Sequence, residues 1–159
     1  MSYSEEITKE QREAMKTYLS RYSAFVEMHD RYLTLLENSD SRLLSVTAQM
    51  EETRASGTAH DAMGDQVATL HERIEKLNYA DNRVGESLDR ISDLIFEVSE
   101  LEPDAGKVLS HLYLREGRIP ELDEVAEHLG YSESHVKRLH RIGLETAIKC
   151  RMSSKHDTF

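Results

Sequence analysis

The chain is poor in the residue types that cross-link, stiffen or interrupt a fold. Its 159 residues include one Cys, two Pro, seven Gly and no Trp. The single thiol, Cys150, excludes an internal disulfide framework and a four-cysteine zinc site, and it is typical of a reducing compartment. Because Pro and Gly are scarce, long stretches contain nothing that breaks a helix. Aromatic residues make up only 6% of the chain, which disfavours a large β-sandwich or barrel. The composition therefore predicts an all-α fold.

Several functional signals are also missing. No stretch approaches the roughly 18 apolar residues of a membrane helix, and the first residues lack the basic flank and apolar block of a secretory signal. The sequence has no Gly-rich phosphate loop, no GxSxG turn and no HExxH motif. We therefore expect a soluble cytoplasmic protein that is not an enzyme and holds no metal or cofactor.

Charge is distributed unevenly along the chain. Residues 1–100 hold 20 acidic and 11 basic side chains, whereas residues 131–159 hold three acidic and six basic ones. The protein as a whole carries a formal charge of −10. A net-acidic protein with one basic helix can still bind nucleic acid through that helix, although the rest of its surface repels phosphate.

An apolar seam with alternating spacings of four and three residues runs through the middle of the chain. This is a heptad pattern, and it predicts one helix of about 38 residues, about 57 Å long, which needs a partner helix. Asp81 in this seam, and His29 in the stripe upstream of it, are polar residues that can fix the register of two helices. The seam consists of Met63, Val67, Leu70, Ile74, Leu77, Asp81, Val84, Leu88, Ile91, Ile95 and Val98.

The candidate partner helix lies upstream, where residues 15–36 repeat the same alternation with bulkier side chains. The pattern weakens at residues 38–41, which predicts a break before a shorter helical piece, and the small polar residues 52–60 predict a flexible connection. Residues 1–100 are therefore predicted to form a long helical hairpin or coiled coil. It closes on itself or against a second copy, and we expect it to form a homodimer.

The pattern changes near residue 101. Pro103 follows Glu102 at a favourable helix start, and Gly117 predicts a helix end before a loop. We predict a helix-turn-helix DNA-binding domain over residues 101–152 and a disordered tail over residues 153–159.

Residues 122–141, LDEVAEHLGYSESHVKRLHR, fit a helix-turn-helix at several independent places. Ala126 is small where two steeply crossing helices need close approach. Gly130 stands at the sharp turn, where positive φ is needed. Ser132 is a good N-cap for the second helix, and Val136 has the phase to pack back on the first. Two amphipathic helices joined by Gly also occur in bundles that never touch DNA, so we weigh this pattern together with the basic charge of the second helix.

The exposed residues near the start of the second helix are the predicted DNA contacts. Side chains at such a position meet base edges in the major groove, while Lys and Arg meet phosphates. The predicted contact residues are Ser132, Ser134, His135, Lys137, Arg138 and Arg141.

Residues 113–147 resemble the C-terminal part of a family of phage and prophage transcriptional regulators. In that family, a segment similar to region 4 of bacterial sigma factors follows a helical N-terminal half, and MGDQVA at residues 63–68 is also similar to it. The resemblance implies control of phage gene transcription through double-stranded DNA, with contact to RNA polymerase. The matching residues are Leu112, Tyr113, Leu114, Val125, Ala126, Leu129, Gly130, Tyr131, Ser132, Val136, Arg138, Leu139, His140 and Leu144.

Two residues depart from the family pattern. Ser134 stands where a basic residue is frequent, which weakens the expected base readout. Gly143 stands where Ala is usual, and we expect it to loosen the end of the second helix, because Gly is about 1 kcal/mol less favourable there.

Two other functions remain open. One is a helical adaptor whose acidic helices bind a protein such as RNA polymerase or another regulator, with the helix-turn-helix as a packing module. The other is a phage packaging protein that recognises DNA and forms rings through its helices.

Overall fold

The computed structural model describes the backbone of residues 6–53 and 59–156, and the side chains of residues 6–39 and 64–154. Every regular element in these ranges is an α-helix, which confirms the predicted all-α class. Among the described residues, no helix is both long enough and apolar enough to cross a membrane. The helices are α1 (Lys9–Leu19), α2 (Arg21–Thr53), α3 (Ala59–Leu101), α4 (Pro103–Tyr113), α5 (Leu122–Leu129) and α6 (Glu133–His156).

The contacts divide the chain into two compact units. One unit joins the residues up to Ala24 with those from Gly85 onward, and the other comprises Phe25–Val84. The division therefore falls inside α2 and α3, whereas the sequence pattern placed a boundary at residue 100. The C-terminal part of α3 carries fully buried residues such as Val98, and α1 packs on α6, so both belong with the C-terminal helices.

The helix break lies earlier than the sequence predicted. Thr8 and Gln11 form a capping box that starts α1, and the helix ends at Leu19. Ser20 separates α1 from α2, and its hydroxyl donates to the Lys16 carbonyl at 2.6 Å. The same back-bond from Ser39 to the Leu35 carbonyl leaves α2 continuous, so it does not by itself explain the break. The predicted break at residues 38–41 is wrong, since α2 continues through them to Thr53.

Within Phe25–Val84, the two helices run antiparallel beside each other in a single chain. His29 Nε2 lies 3.7 Å from Asp81 Oδ1, so the two polar seam residues pair with each other. Further along, the Lys76 ammonium lies over the Tyr32 ring at 5.7 Å, and Arg73 donates to the Leu35 carbonyl at 3.4 Å. Residue numbers of the contacting pairs therefore increase along α2 while they decrease along α3, as antiparallel helices require. Of the predicted connection, only residues 54–58 separate the helices, and they lie outside the described residues.

The heptad seam is buried along only part of its length. In the C-terminal part of α3, Ile91, Ile95 and Val98 are at most 2% exposed. In the other unit, Val67 is 51% exposed and Ile74 is 40% exposed. The same sequence pattern thus serves as the core of one unit and as a partly uncovered stripe on the other.

The C-terminal helices pack around α6, which contacts α1, α4 and α5. As predicted, α4 begins at Pro103, but it ends at Tyr113, earlier than Gly117 suggested. Gly117 instead sits in the following loop with φ 96°. The prediction of a disordered tail from residue 153 is wrong for its first residues, because α6 continues to His156 and the Ser154 hydroxyl donates to the Cys150 carbonyl at 3.0 Å. Residues 157–159 lie outside the described part.

Candidate nucleic-acid interface

Helix α5 and the turn after it have the local geometry that their sequence favours. Glu121 and Glu124 form a capping box at the start of α5. Val125 and Ala126 are buried at 3% and 4% exposure. The helix ends at Gly130, which adopts φ 71° in the left-handed region, where a side chain would be strained.

Helix α6 begins three residues later with a side-chain cap. The Ser132 hydroxyl accepts a hydrogen bond from the His135 amide at 3.2 Å, which confirms the predicted N-cap. Val136 is fully buried and Leu139 is 6% exposed, so this face of α6 is fixed against the rest of the unit. The opposite face of its first turns is left to solvent.

Five of the six predicted contact residues are exposed. Ser134, Lys137, Arg138 and Arg141 recur at spacings of three and four residues and therefore share one face of α6. Ser132 is also exposed, although its hydroxyl is engaged in the cap. The six residues thus lie together, at the start of one helix and outside the hydrophobic core.

His135 differs from the other five because it is half-buried. Its ring packs edge-on against Tyr131, with centroids 5.1 Å apart. The Arg138 guanidinium donates toward its Nδ1 across 3.3 Å. The side chain of His135 therefore supports Arg138 and Tyr131 in this arrangement, in addition to lying near the exposed face.

No family model, curated protein or solved structure matches the chain. The resemblance to phage transcriptional regulators therefore rests on the sequence motifs alone. The geometry of α5, the turn and α6 stands independently of it.

Two cations on this face are paired with acids of the same helix. Lys137 Nζ lies 3.0 Å from Glu133 Oε1, and Arg141 Nε lies 3.1 Å from Glu145 Oε1. Glu145 also receives the guanidinium of Arg12 at 3.3 Å, so α1 is tied to α6 beside the candidate interface. The exposed Lys137–Glu133 pair contributes about 0.3–0.5 kcal/mol, so it leaves Lys137 free to exchange partners. Glu145 is only 29% exposed and is shared by Arg141 and Arg12.

An acidic surface lies next to this basic face along the chain. Four carboxylates of α5 and the residue before it are exposed, and Arg118 pairs with Glu124 at 2.9 Å. That hydrogen bond, together with a backbone hydrogen bond to Glu121, lowers the pKa of Glu124. The acidic residues are Glu121, Asp123, Glu124 and Glu127.

The sequence pattern did not predict the surroundings of two buried residues of α6, His140 and Gly143. The first belongs to a buried polar pair: Tyr113 Oη and His140 Nε2 lie 2.8 Å apart, and His140 is only 8% exposed. Burial lowers the pKa of His140 to about 4, so the ring is neutral near pH 7. A pattern that alternates polar and apolar residues gives no sign that a particular His is inside.

The second feature is Gly143. Its position is buried, and a Cβ there would lie 2.9 Å from Cγ of the fully buried Leu109. The expectation that Gly143 loosens the end of the helix is wrong, because α6 continues beyond it for thirteen residues to His156. The missing side chain instead lets α6 approach α4 closely.

Other chemistry at the site is limited. Within the described ranges, no three His, Cys, Asp or Glu side chains come together as a metal would require. Cys150 is partly buried, and this burial and the nearby Glu97 raise the pKa of its thiol, so it is held as the less reactive thiol form.

Proposed function

We propose that this protein is a sequence-specific double-stranded DNA-binding regulator that reads DNA with the start of α6. The main support for this proposal is one exposed face of α6, whose opposite face is buried. This face consists of Ser134, Lys137, Arg138 and Arg141. Such a helix, presented by a tight turn at Gly130, has the shape that enters a major groove. Control of phage genes and contact with RNA polymerase belong to the same proposal through the sequence resemblance.

The acid pairs on α6 are compatible with this function. Lys137 and Glu133 are both more than half exposed as side chains, so water and salt screen their attraction. A DNA phosphate offers a stronger charge-assisted hydrogen bond, and its bidentate geometry suits arginine. We therefore expect Lys137, Arg138 and Arg141 to contact phosphate or a base edge on binding, with Lys137 exchanging Glu133 for the DNA.

The protein would act as a homodimer through its long helices. Support comes from the uncovered part of the heptad seam, where Val67 and Ile74 lie seven residues apart on one stripe of α3. Leu33 of α2 is also 40% exposed. Apolar side chains at heptad spacing gain stability by packing against a second helix pair, and two-fold symmetry would then set the spacing of two half-sites.

The dimer has a direct test. Sedimentation equilibrium of the parent protein is expected to give twice the mass of one chain, and the double variant Val67→Glu, Ile74→Glu is expected to give the mass of one. Tyr79→Glu is the matched control, because Tyr79 is as exposed as Val67 but lies off the stripe. A monomeric parent, or a dimer that survives the double variant, would contradict this part of the proposal.

DNA binding is tested by selection from a pool of random duplexes at two salt concentrations. We expect enrichment of a paired half-site and an affinity that falls as salt rises. In the double variant Arg138→Ala, Arg141→Ala, the selected duplex should bind at least about a hundredfold more weakly. The slope of log affinity against log salt should fall by about 2 if both residues contact phosphate.

The control variant makes the same charge change elsewhere. Arg31 on α2 and Arg90 on α3 are both exposed, so Arg31→Ala, Arg90→Ala removes two positive charges from helices other than α6. It is expected to bind the selected duplex nearly as well as the parent. Equal losses in both double variants would mean that only net charge matters, and unchanged affinity in the α6 variant would exclude the proposed interface.

A second candidate function is favoured by the acidic surface of α5. Exposed Glu121, just before α5, and Asp123 and Glu127 on α5 would suit a basic protein partner. An adaptor of this kind would bind no duplex at low salt and would lose its partner when these residues become amides. The duplex selection therefore separates the two functions in one experiment.

A further inference from the structure

An open cleft of about 570 Å³ lies between α4, the loop after it and α5. Its volume is in the range of sites that hold small molecules. The polar side chains that line it are mostly basic or capable of becoming so. They are Ser110, His111, Arg115, Arg118, Glu124 and His128.

Two histidines that line the cleft contact each other. The His111 and His128 rings meet edge to face with centroids 5.0 Å apart, although they come from different helices. Burial, followed by the charges of His128, Arg115 and Lys107, lowers the pKa of His111. Burial is the larger cause, but the charge contributions show that basic groups surround His111, and an anion placed beside it would favour its protonated form.

The cations of the cleft are not all engaged. Arg118 and Glu124 pair at 2.9 and 3.2 Å, so this acid is largely committed to one arginine. Arg115 is exposed and forms no hydrogen bond or ion pair with another described residue, although its charge acts at longer range on His111 and Glu124. One free guanidinium, two imidazoles and the Ser110 hydroxyl therefore converge on one space.

We propose that this cleft binds the phosphate group of a small phosphorylated molecule. The planar guanidinium of Arg115 can donate two parallel hydrogen bonds to phosphate oxygens. His111 and His128 add donors when protonated, and Ser110 adds a neutral one. Inorganic phosphate alone would not fill the cleft volume of about 570 Å³, which leaves room for the organic part of a phosphate monoester. This site is separate from the face of α6 and does not depend on DNA binding.

The test follows the histidine ring signals of the full-length chain by NMR while inorganic phosphate or AMP is added. We expect saturable shifts of His111 and His128, with AMP binding more tightly than phosphate. Binding should also raise the pKa of His111. His71, which is exposed on α3 and is not among the residues that line the cleft, should not shift.

Variants connect the shifts to the cleft. Arg115→Gln is expected to weaken AMP binding by about tenfold or more, whereas Arg31→Gln, the same change on α2, leaves it unchanged. Absence of saturable shifts, or equal affinity in Arg115→Gln, would overturn the site.

The phosphate of a DNA backbone offers the same chemistry, so a duplex arm is included. Small-molecule binding predicts that AMP shifts the rings in the absence of DNA and that Arg115→Gln binds the selected duplex normally. If only duplex DNA shifts the rings, and Arg115→Gln weakens the duplex, the small-molecule site is refuted and the cleft contacts the DNA backbone. A protein that binds AMP but no duplex would refute the DNA-binding function and leave this site standing.

Discussion

Gly143 offers the sharpest test of how α6 is held. The glycine is buried in the middle of α6, and an added Cβ would lie 2.9 Å from Leu109 Cγ and 3.0 Å from its Cδ1. Real Cβ atoms essentially never approach other atoms within 3.0 Å, and Leu109 is fully buried, so relieving the contact requires the core around it to shift. Gly143→Ala should therefore destabilise the protein even though Ala is the better helix former.

The magnitude follows from two opposing effects. Replacing Gly by Ala inside a helix stabilises it by about 1 kcal/mol, whereas forcing one methyl group into a packed core destabilises it by about 1–3 kcal/mol. The expected net change for Gly143→Ala is a loss of about 1 kcal/mol. Gly85 is the matched control, because it lies inside α3, is exposed and would place its Cβ in open space. Gly85→Ala should gain about 1 kcal/mol.

The assay is urea denaturation followed by far-ultraviolet circular dichroism. The two variants should change the free energy of unfolding in opposite directions and differ by about 2 kcal/mol. Leu109→Ala removes the atoms that collide, so in that background Gly143→Ala should become stabilising like Gly85→Ala. If Gly143→Ala stabilises the parent protein as much as Gly85→Ala does, the close approach of α6 and α4 is refuted.

Two further predictions concern buried positions. The pKa of His140 is about 4 in the folded protein and about 6.5 when unfolded, so the unfolded chain binds the extra proton between these values. The contribution of His140 to the free energy of unfolding is therefore present above about pH 6.5 and falls by about 3 kcal/mol as the pH drops to 4. Urea denaturation at several pH values should detect this loss, and His140→Gln should reduce it. Gly106→Ala should be more harmful than Gly143→Ala, because its Cβ would lie 2.7 Å from backbone Cα of Ser99, which cannot rotate away as a side chain can. A thermal unfolding midpoint for Gly106→Ala equal to that of Gly143→Ala would contradict this ranking.

Local signals predicted the parts of the structure that local forces decide. The heptad seam predicted α3, because a long apolar stripe with one polar position, Asp81, and no Pro specifies a helix by itself. Ser132 and Gly130 predicted the cap and the turn, since both act through hydrogen bonds and φ values within a few residues. The break at Ser20 has no such local signal, because its hydroxyl bonds to the carbonyl four residues earlier just as that of Ser39 does inside the continuous α2.

Features that depend on distant partners were beyond the sequence. Gly143 was interpreted as a weak point because its intrinsic helix preference is poor, yet its position is explained by Leu109, 34 residues earlier and on another helix. The pairing of His111 with His128 likewise brings together residues that no local spacing connects. The proposed interface depends both on local spacing and on partner residues. The spacing of Lys137, Arg138 and Arg141 placed them on one face of α6. Their availability to DNA depends on Glu133 and Glu145. The Lys137–Glu133 pair is exposed and weak enough for phosphate to displace, whereas Glu145 is partly buried and also holds Arg12.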